Sequence, residues 1–154
     1  QFNLCFCYDK GKGVEKDYVV AVEWYTKSAE QNYDLAQYKL GTCYYDGLGV
    51  EQDYVTAAEW FAKAADQNHV KAQYELGNCY FEGKGVEQNY TTAVEWYIKA
   101  AEQGNSDAQN MLGYCYYEGL GIERNFTKAA DWYSKAAAAG NAGVWSQKSR
   151  GELV

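Results

Sequence analysis

Apolar positions along this chain fall at helical spacing, in short stretches broken by glycine and by small polar residues. Ala36, Leu40, Cys43 and Tyr44 share one face of a helix. Tyr54, Ala57, Ala58, Phe61, Ala64 and Ala65 do the same a little further on. The spacing predicts a first helix over about 36–46 and a second over about 54–67. Gly47 follows the first as a residue able to take positive φ, Gly49 and Val50 make the turn, and Asp53 supplies an oxygen to cap the second. Asn68 closes the second helix, being a residue that tolerates the left-handed stop.

The same pattern returns every 36 residues. Cys7, Cys43, Cys79 and Cys115 form one column, and Leu4, Leu40, Leu76 and Leu112 another. Gly11, Gly47, Gly83 and Gly119 align, as do Trp24, Trp60, Trp96 and Trp132. The cap column holds Asp17, Asp53, Asn89 and Asn125, and the stop column Asn32, Asn68, Gly104 and Gly140. The register divides the chain into repeats at 1–33, 34–69, 70–105 and 106–141, with a divergent tail over 142–154. Lys148 stands in the tail where a leucine belongs, so that segment reads as either a polar capping helix or a disordered end. Gln1 aligns with Gln37, so the chain is expected to start inside a first helix with the preceding unit missing. Two helices of this length cannot bury their apolar faces alone. Stacking successive units would build one continuous core, an all-α solenoid with a concave inner surface.

The quoted columns resemble the Sel-1-like repeat, a relative of the tetratricopeptide repeat. The stretch Ala36-Gln37-Tyr38-Lys39-Leu40-Gly41-Thr42-Cys43-Tyr44-Tyr45-Asp46-Gly47-Leu48-Gly49-Val50, followed by Ala57-Ala58-Glu59-Trp60-Phe61-Ala62-Lys63-Ala64-Ala65, carries the likeness, which covers about 1–141. The resemblance implies a right-handed superhelix and an adaptor or scaffold role. Cys5 departs from the pattern, replacing the glycine of Gly41, Gly77 and Gly113, and Asp9 replaces an aromatic residue.

The first helix of each repeat carries a second stripe: Tyr38, Thr42 and Tyr45, then Tyr74, Asn78 and Phe81, then Asn110, Tyr114 and Tyr117. Phe2, Phe6 and Asp9 are the counterparts in the first repeat. In superhelical relatives this side of the helix lines the concave groove, where aromatic rings supply large, rigid contact area. The rings could instead pack between neighbouring first helices. Variation in the column Phe6, Thr42, Asn78 and Tyr114, inside a rigid repeat, favours binding. Asp46, Glu82 and Glu118 flank the stripe and would select lysine or arginine. The expected partner is a protein or peptide with basic and apolar side chains. The alternatives are a structural spacer within a longer solenoid and a self-association module using an open terminal edge.

Charge agrees with a protein partner. The net charge of −7 and pI near 4.7 argue against nucleic acid and anionic membranes, which need clustered lysine and arginine. No apolar run approaches the roughly 20 residues that span a bilayer. Glu23–Lys27, Glu59–Lys63, Glu95–Lys99 and Asp131–Lys135 are spaced as weak helical ion pairs on a solvated face.

Catalytic chemistry is not expected, nor any cofactor or metal. The one histidine, His69, falls in a turn between repeats and reads as a loop-surface residue without a triad partner. Gly47-x-Gly49 lacks the preceding strand and third glycine of a dinucleotide loop. Four of the five cysteines occupy one core column. Packed helices lie about 8–10 Å apart, beyond the reach of a disulfide, and free buried thiols suggest a reducing, cytoplasmic setting. The sequons Asn89-Tyr90-Thr91 and Asn125-Phe126-Thr127 would instead imply the secretory pathway if used, but capping accounts for both asparagines.

Overall fold

The computed structural model describes residues 18–139. Among them are seven helices and no strand: α1 Tyr18–Glu30, α2 Asp34–Asp46, α3 Tyr54–Asp66, α4 Val70–Glu82, α5 Tyr90–Glu102, α6 Ser106–Glu118 and α7 Phe126–Ala138. α2, α4 and α6 are the first helices of their repeats, and α1, α3, α5 and α7 the second helices. The first helix of the second repeat starts at Asp34, two residues earlier than its apolar pattern indicated. The stretches 1–17 and 140–154 lie outside the described residues, and with them Cys5, the Phe2, Phe6 and Asp9 stripe and the tail. Among the described residues the chain divides into two compact units, 18–72 with 84–87, and 73–83 with 88–139.

In the first unit, α2 packs between α1 and α3. Ala21, Val22, Tyr25 and Ala29 meet Ala36, Leu40 and Cys43 in one buried cluster, with Trp24, Tyr44, Leu48, Val50 and Trp60 packed against it. The opposite side of α2 lies on α3, where Ala57, Ala58, Phe61, Ala64 and Ala65 are buried. Gly41 is required there: a Cβ on it would come within 2.7 Å of the Phe61 ring. The second glycine of Gly47-x-Gly49 has a role beyond the turn. At φ +73°, Gly49 lies so close to the backbone of Tyr18 that a Cβ would run into the Tyr18 carbonyl. It is thus a contact between one repeat's turn and the preceding repeat's second helix.

Caps behave as their residues dictate. The Asp53 carboxylate accepts from the backbone N–H of Val55 and Thr56 at 3.0 and 3.2 Å and from the Thr56 hydroxyl at 2.7 Å. Asn32 and Asn68 take left-handed φ of 66° and 65° to end α1 and α3. A side-chain N-cap such as Asp53 contributes about 1 kcal/mol.

The second unit repeats this scheme with α5 and α6 packed together and α6 on α7. Ala93, Val94, Tyr97, Ala108, Leu112, Cys115 and Ala129 are buried. Cys115 sits wholly out of solvent, and burial pushes its thiol pKa up to about 12. Neither it nor Cys43 nor Cys79 forms a disulfide among the described residues. The outer side of α7 differs from its counterparts. Ala130 and Ala137 are exposed, whereas Ala58, Ala65, Val94 and Ala101 in the same columns are buried.

Candidate functional site

The stripe expected to face a partner forms a packing seam with one uncovered edge. Eight of its nine residues are half-buried, and Asn110 is buried. The rings do not lie against neighbouring first helices alone; they rest on the second helix of their own repeat. Tyr38 lies 6.0 Å from Phe61, and Tyr74 lies 6.1 Å from Tyr97. Tyr45 meets Tyr54 edge-on at 5.0 Å, Phe81 meets Tyr90 edge-on at 5.0 Å, and Tyr117 meets Phe126 edge-on at 5.4 Å. Offset and edge-on pairs at these separations are the favoured aromatic geometries. Phe81 also touches Tyr114, at 6.3 Å between ring centroids.

The variable column has partly structural causes. In α4, Asn78 accepts the hydroxyl proton of buried Tyr97 at 2.8 Å, and its amide donates to Glu75 at 3.2 Å. In α2 the facing ring is Phe61, which has no hydroxyl to satisfy. Thr42 donates its own to the Tyr38 carbonyl at 3.0 Å instead. Residue type at this column therefore follows, in these two repeats, the ring it faces. Asn110 goes further inward: its Oδ1 has no hydrogen-bond partner among the described residues.

Two aromatic steps hold cations of the chain itself. Lys84, in the turn after α4, donates from Nζ to the Tyr45 hydroxyl at 3.1 Å. The same Nζ stands 5.4 Å from the Tyr45 centroid and 5.6 Å from that of Tyr54. The Arg124 guanidinium stands 5.3 Å from the Phe126 ring. Sequence reasoning missed both residues, although Lys84 alternates with leucine in the column Lys12, Leu48, Lys84 and Leu120. Negative charge gathers nearby. Asp46, Glu82 and Glu118 are exposed. The Tyr114 hydroxyl is shifted above its ordinary pKa, first by burial and then by Glu118.

Lysines on the second helices behave otherwise than expected. Lys27, Lys63, Lys99 and Lys135 each lie over the tryptophan three residues earlier, at 3.8–4.8 Å from Trp24, Trp60, Trp96 and Trp132. The aromatic face, partly desolvated, competes better for the ammonium than a fully solvated carboxylate four residues away.

His69 is a capping residue and not a free surface one. Its Nδ1 accepts from the Ala72 N–H at 3.2 Å at the start of α4, and its imidazole stacks on Tyr38 at 4.8 Å. Partial burial lowers its pKa, with the nearby Asp34 acting in the opposite sense. Asn105 holds the same column and caps α6 through Ala108 at 2.8 Å. Both sequon asparagines are likewise caps: Asn89 accepts from the Thr92 N–H, and Asn125 from the Lys128 N–H.

The family model described as the Sel1 repeat matches residues 1–33, 34–69, 70–105 and 106–141. No curated protein matches the chain. Among solved structures, the chain is similar to a protective antigen present in uropathogenic Escherichia coli strains and displaying an SLR fold. Identity is 46% and the TM-score 0.89, over 91% of this chain and 30% of that one. A Sel1 repeat protein from Oxalobacter formigenes gives 40% identity and a TM-score of 0.83, over 90% of this chain and 57% of that one. Helicobacter pylori cysteine rich protein B gives 27% identity and a TM-score of 0.64, over 86% and 95%. The chain thus spans about a third and somewhat over half of the first two relatives' lengths. The recurring glycine contacts, aromatic seams and caps together with these matches make the chain an all-α solenoid protein that belongs to the Sel1 repeat family, whose repeats serve in general as protein-interaction scaffolds.

Proposed function

We propose that this chain is a non-enzymatic scaffold that holds a protein or peptide segment against the uncovered edges of the first-helix rings. In the first unit Tyr38, Thr42 and Tyr45, and in the second unit Tyr74, Asn78, Phe81, Asn110, Tyr114 and Tyr117, form that unit's binding surface or its immediate support. The observation that carries this reading is the recurrent edge-on pair Tyr45–Tyr54, Phe81–Tyr90 and Tyr117–Phe126. Each stripe ring in these pairs is fixed on one side by the second helix and half-exposed on the other. A ring already immobilised loses little entropy on contact, which is what a binding hot spot needs. Carboxylates at 46, 82 and 118 and the net charge of −7 suit a segment with basic residues between apolar anchors. Among the described residues no helix is long and apolar enough to cross a membrane. Buried cysteines that form no disulfide among the described residues suit a reducing, cytoplasmic setting.

Alanine at Tyr45, Phe81 and Tyr117 would confuse binding with packing, since each ring supports a second helix. Leucine keeps apolar bulk and removes the flat ring. A photo-crosslinking side chain at position 81 should trap a partner that the same side chain at exposed Glu95 does not. The triple leucine variant, with an unchanged circular dichroism spectrum, should lose that partner. Trapping from position 95 alone, or full retention by the triple variant, would remove this surface from consideration.

A further inference from the structure

The chain carries its own example of what an aromatic step on this surface binds. At Tyr45–Tyr54 the ammonium of Lys84 sits over both rings and donates to a hydroxyl. At Tyr117–Phe126 the Arg124 guanidinium occupies the ring. The step between them in sequence, Phe81–Tyr90, has the same edge-on geometry at 5.0 Å. Its two columns for a cation are filled differently. Leu120 holds the column of Lys84, and Gln88 holds that of Arg124. Among the described residues no lysine or arginine stands over Phe81 or Tyr90, and a leucine in the Lys84 column carries no ammonium to deliver. Gln88 is turned onto the backbone, donating to the Phe81 carbonyl at 2.8 Å and to the Tyr90 hydroxyl at 3.2 Å.

The surroundings favour positive charge. Tyr114 adds a third ring beside Phe81, and Glu82 and Glu118 follow the stripe on the same helices, α4 and α6. Aromatic faces carry negative potential, and a carboxylate within a few ångströms adds to it. An uncharged apolar side chain would gain only contact area there.

We infer that the Phe81–Tyr90 step, walled by Tyr114, is a receptor site for a lysine or arginine side chain of the bound protein, placed as Lys84 is placed on Tyr45–Tyr54. This rests on the scaffold reading above and names the place where a basic side chain of the bound segment sits. Leu120 is then the determinant: a lysine at 120 would close the site from within, as Lys84 closes its neighbour.

The test uses the whole chain and small probes. N-acetyl-lysine methylamide is titrated while the ring resonances of Phe81 and Tyr90 are followed by NMR, with N-acetyl-norleucine methylamide as the uncharged control. The lysine probe should give saturable shifts at Phe81 and Tyr90 at least tenfold tighter than norleucine, with Tyr45 and Tyr54 unmoved. Leu120→Lys should weaken the response at Phe81 and Tyr90 at least tenfold. Lys84→Met should make Tyr45 and Tyr54 respond to the lysine probe. Equal response to both probes, or a response untouched by Leu120→Lys in a folded variant, would overturn the inference. The crosslinking experiment can fail while this titration succeeds, or the reverse, so the two proposals fall separately.

Discussion

One buried carboxamide occurs in the second and fourth repeats with different outcomes. In the first unit Gln37 donates to the Ala29 carbonyl at 3.3 Å and to Asn32 at 3.1 Å, and its own oxygen accepts from Gln67 at 2.7 Å. It thus ties the preceding second helix to the following one. In the last repeat Gln109 donates to the Ala101 carbonyl at 3.1 Å in the same way. Its oxygen is buried and has no partner among the described residues. The cause is a single substitution: the column of Gln67 and Gln103 holds Ala139. An open space of about 440 Å³ lies there, lined by Ala101, Glu102, Gly104, Gln109, Trp132 and Lys135. The same helix pair is therefore stitched on both sides in one region and on one side in the other, and the last repeat should tolerate change that an inner repeat cannot.

The largest expected difference is at the glycines beneath the second-helix rings. A Cβ at Gly77 would approach within 2.6 Å of Tyr97, which is fully buried with its hydroxyl held by Asn78. Gly77→Ala should cost about 3 kcal/mol in urea denaturation. At Gly113 the facing ring, Tyr133, is half-buried and able to yield, so Gly113→Ala should cost about 1 kcal/mol. Equal costs would mean that the last repeat is held as tightly as the inner one.

Removing the carboxamides comes next. Gln37→Ala removes two donated bonds and breaks the tie to Gln67, for a loss of about 2 kcal/mol. Gln109→Ala also removes an oxygen already lacking a partner, so the loss should stay below about 1 kcal/mol. Similar losses would show that the orphaned oxygen carries no penalty.

Restoring the missing partner gives the opposite sign. Ala139→Gln should stabilise the chain by about 1 kcal/mol, raising Tm by roughly 2–4 °C. A neutral result would mean that the ordering entropy of the new side chain offsets its hydrogen bond.

The smallest effect concerns the two caps His69 and Asn105. His69 can accept from Ala72 only while Nδ1 is unprotonated, and its pKa lies below the ordinary 6.5 because of burial. The unfolded chain therefore takes up the proton first. Stability present above pH 6.5 is lost as pH falls through that value and the lowered one. His69→Asn copies the Asn105 cap and cannot titrate. Between roughly pH 7.5 and 5, wild type should lose up to about 1 kcal/mol relative to this variant, the worth of one cap. Parallel pH profiles for the two would sink the assignment.

Much of this was legible from residue type and register. Glycine and asparagine columns marked helix ends because left-handed backbone admits few residues, and Asp53, Asn89 and Asn125 marked starts through their side-chain acceptors. The stripe was legible as a set of positions, but its burial was not. Tyr45 and Phe81 lie on a helix face that looks free until the second helix folds back beneath it. Thr42 and Asn78 appeared variable for recognition, yet Asn78 answers the hydroxyl of Tyr97, a partner 19 residues away.

The sequence by itself determined the repeat, the helices and their caps, because those depend on spacing and on local backbone preference. Only the tertiary structure decided which rings rest on Phe61 and Tyr97, that Lys27, Lys63, Lys99 and Lys135 lie over tryptophans, and that Lys84 fills one aromatic step while no lysine or arginine among the described residues stands over Phe81–Tyr90. Those outcomes depend on distances between segments brought together in folding, where desolvation and close approach outweigh what neighbours along the chain would favour.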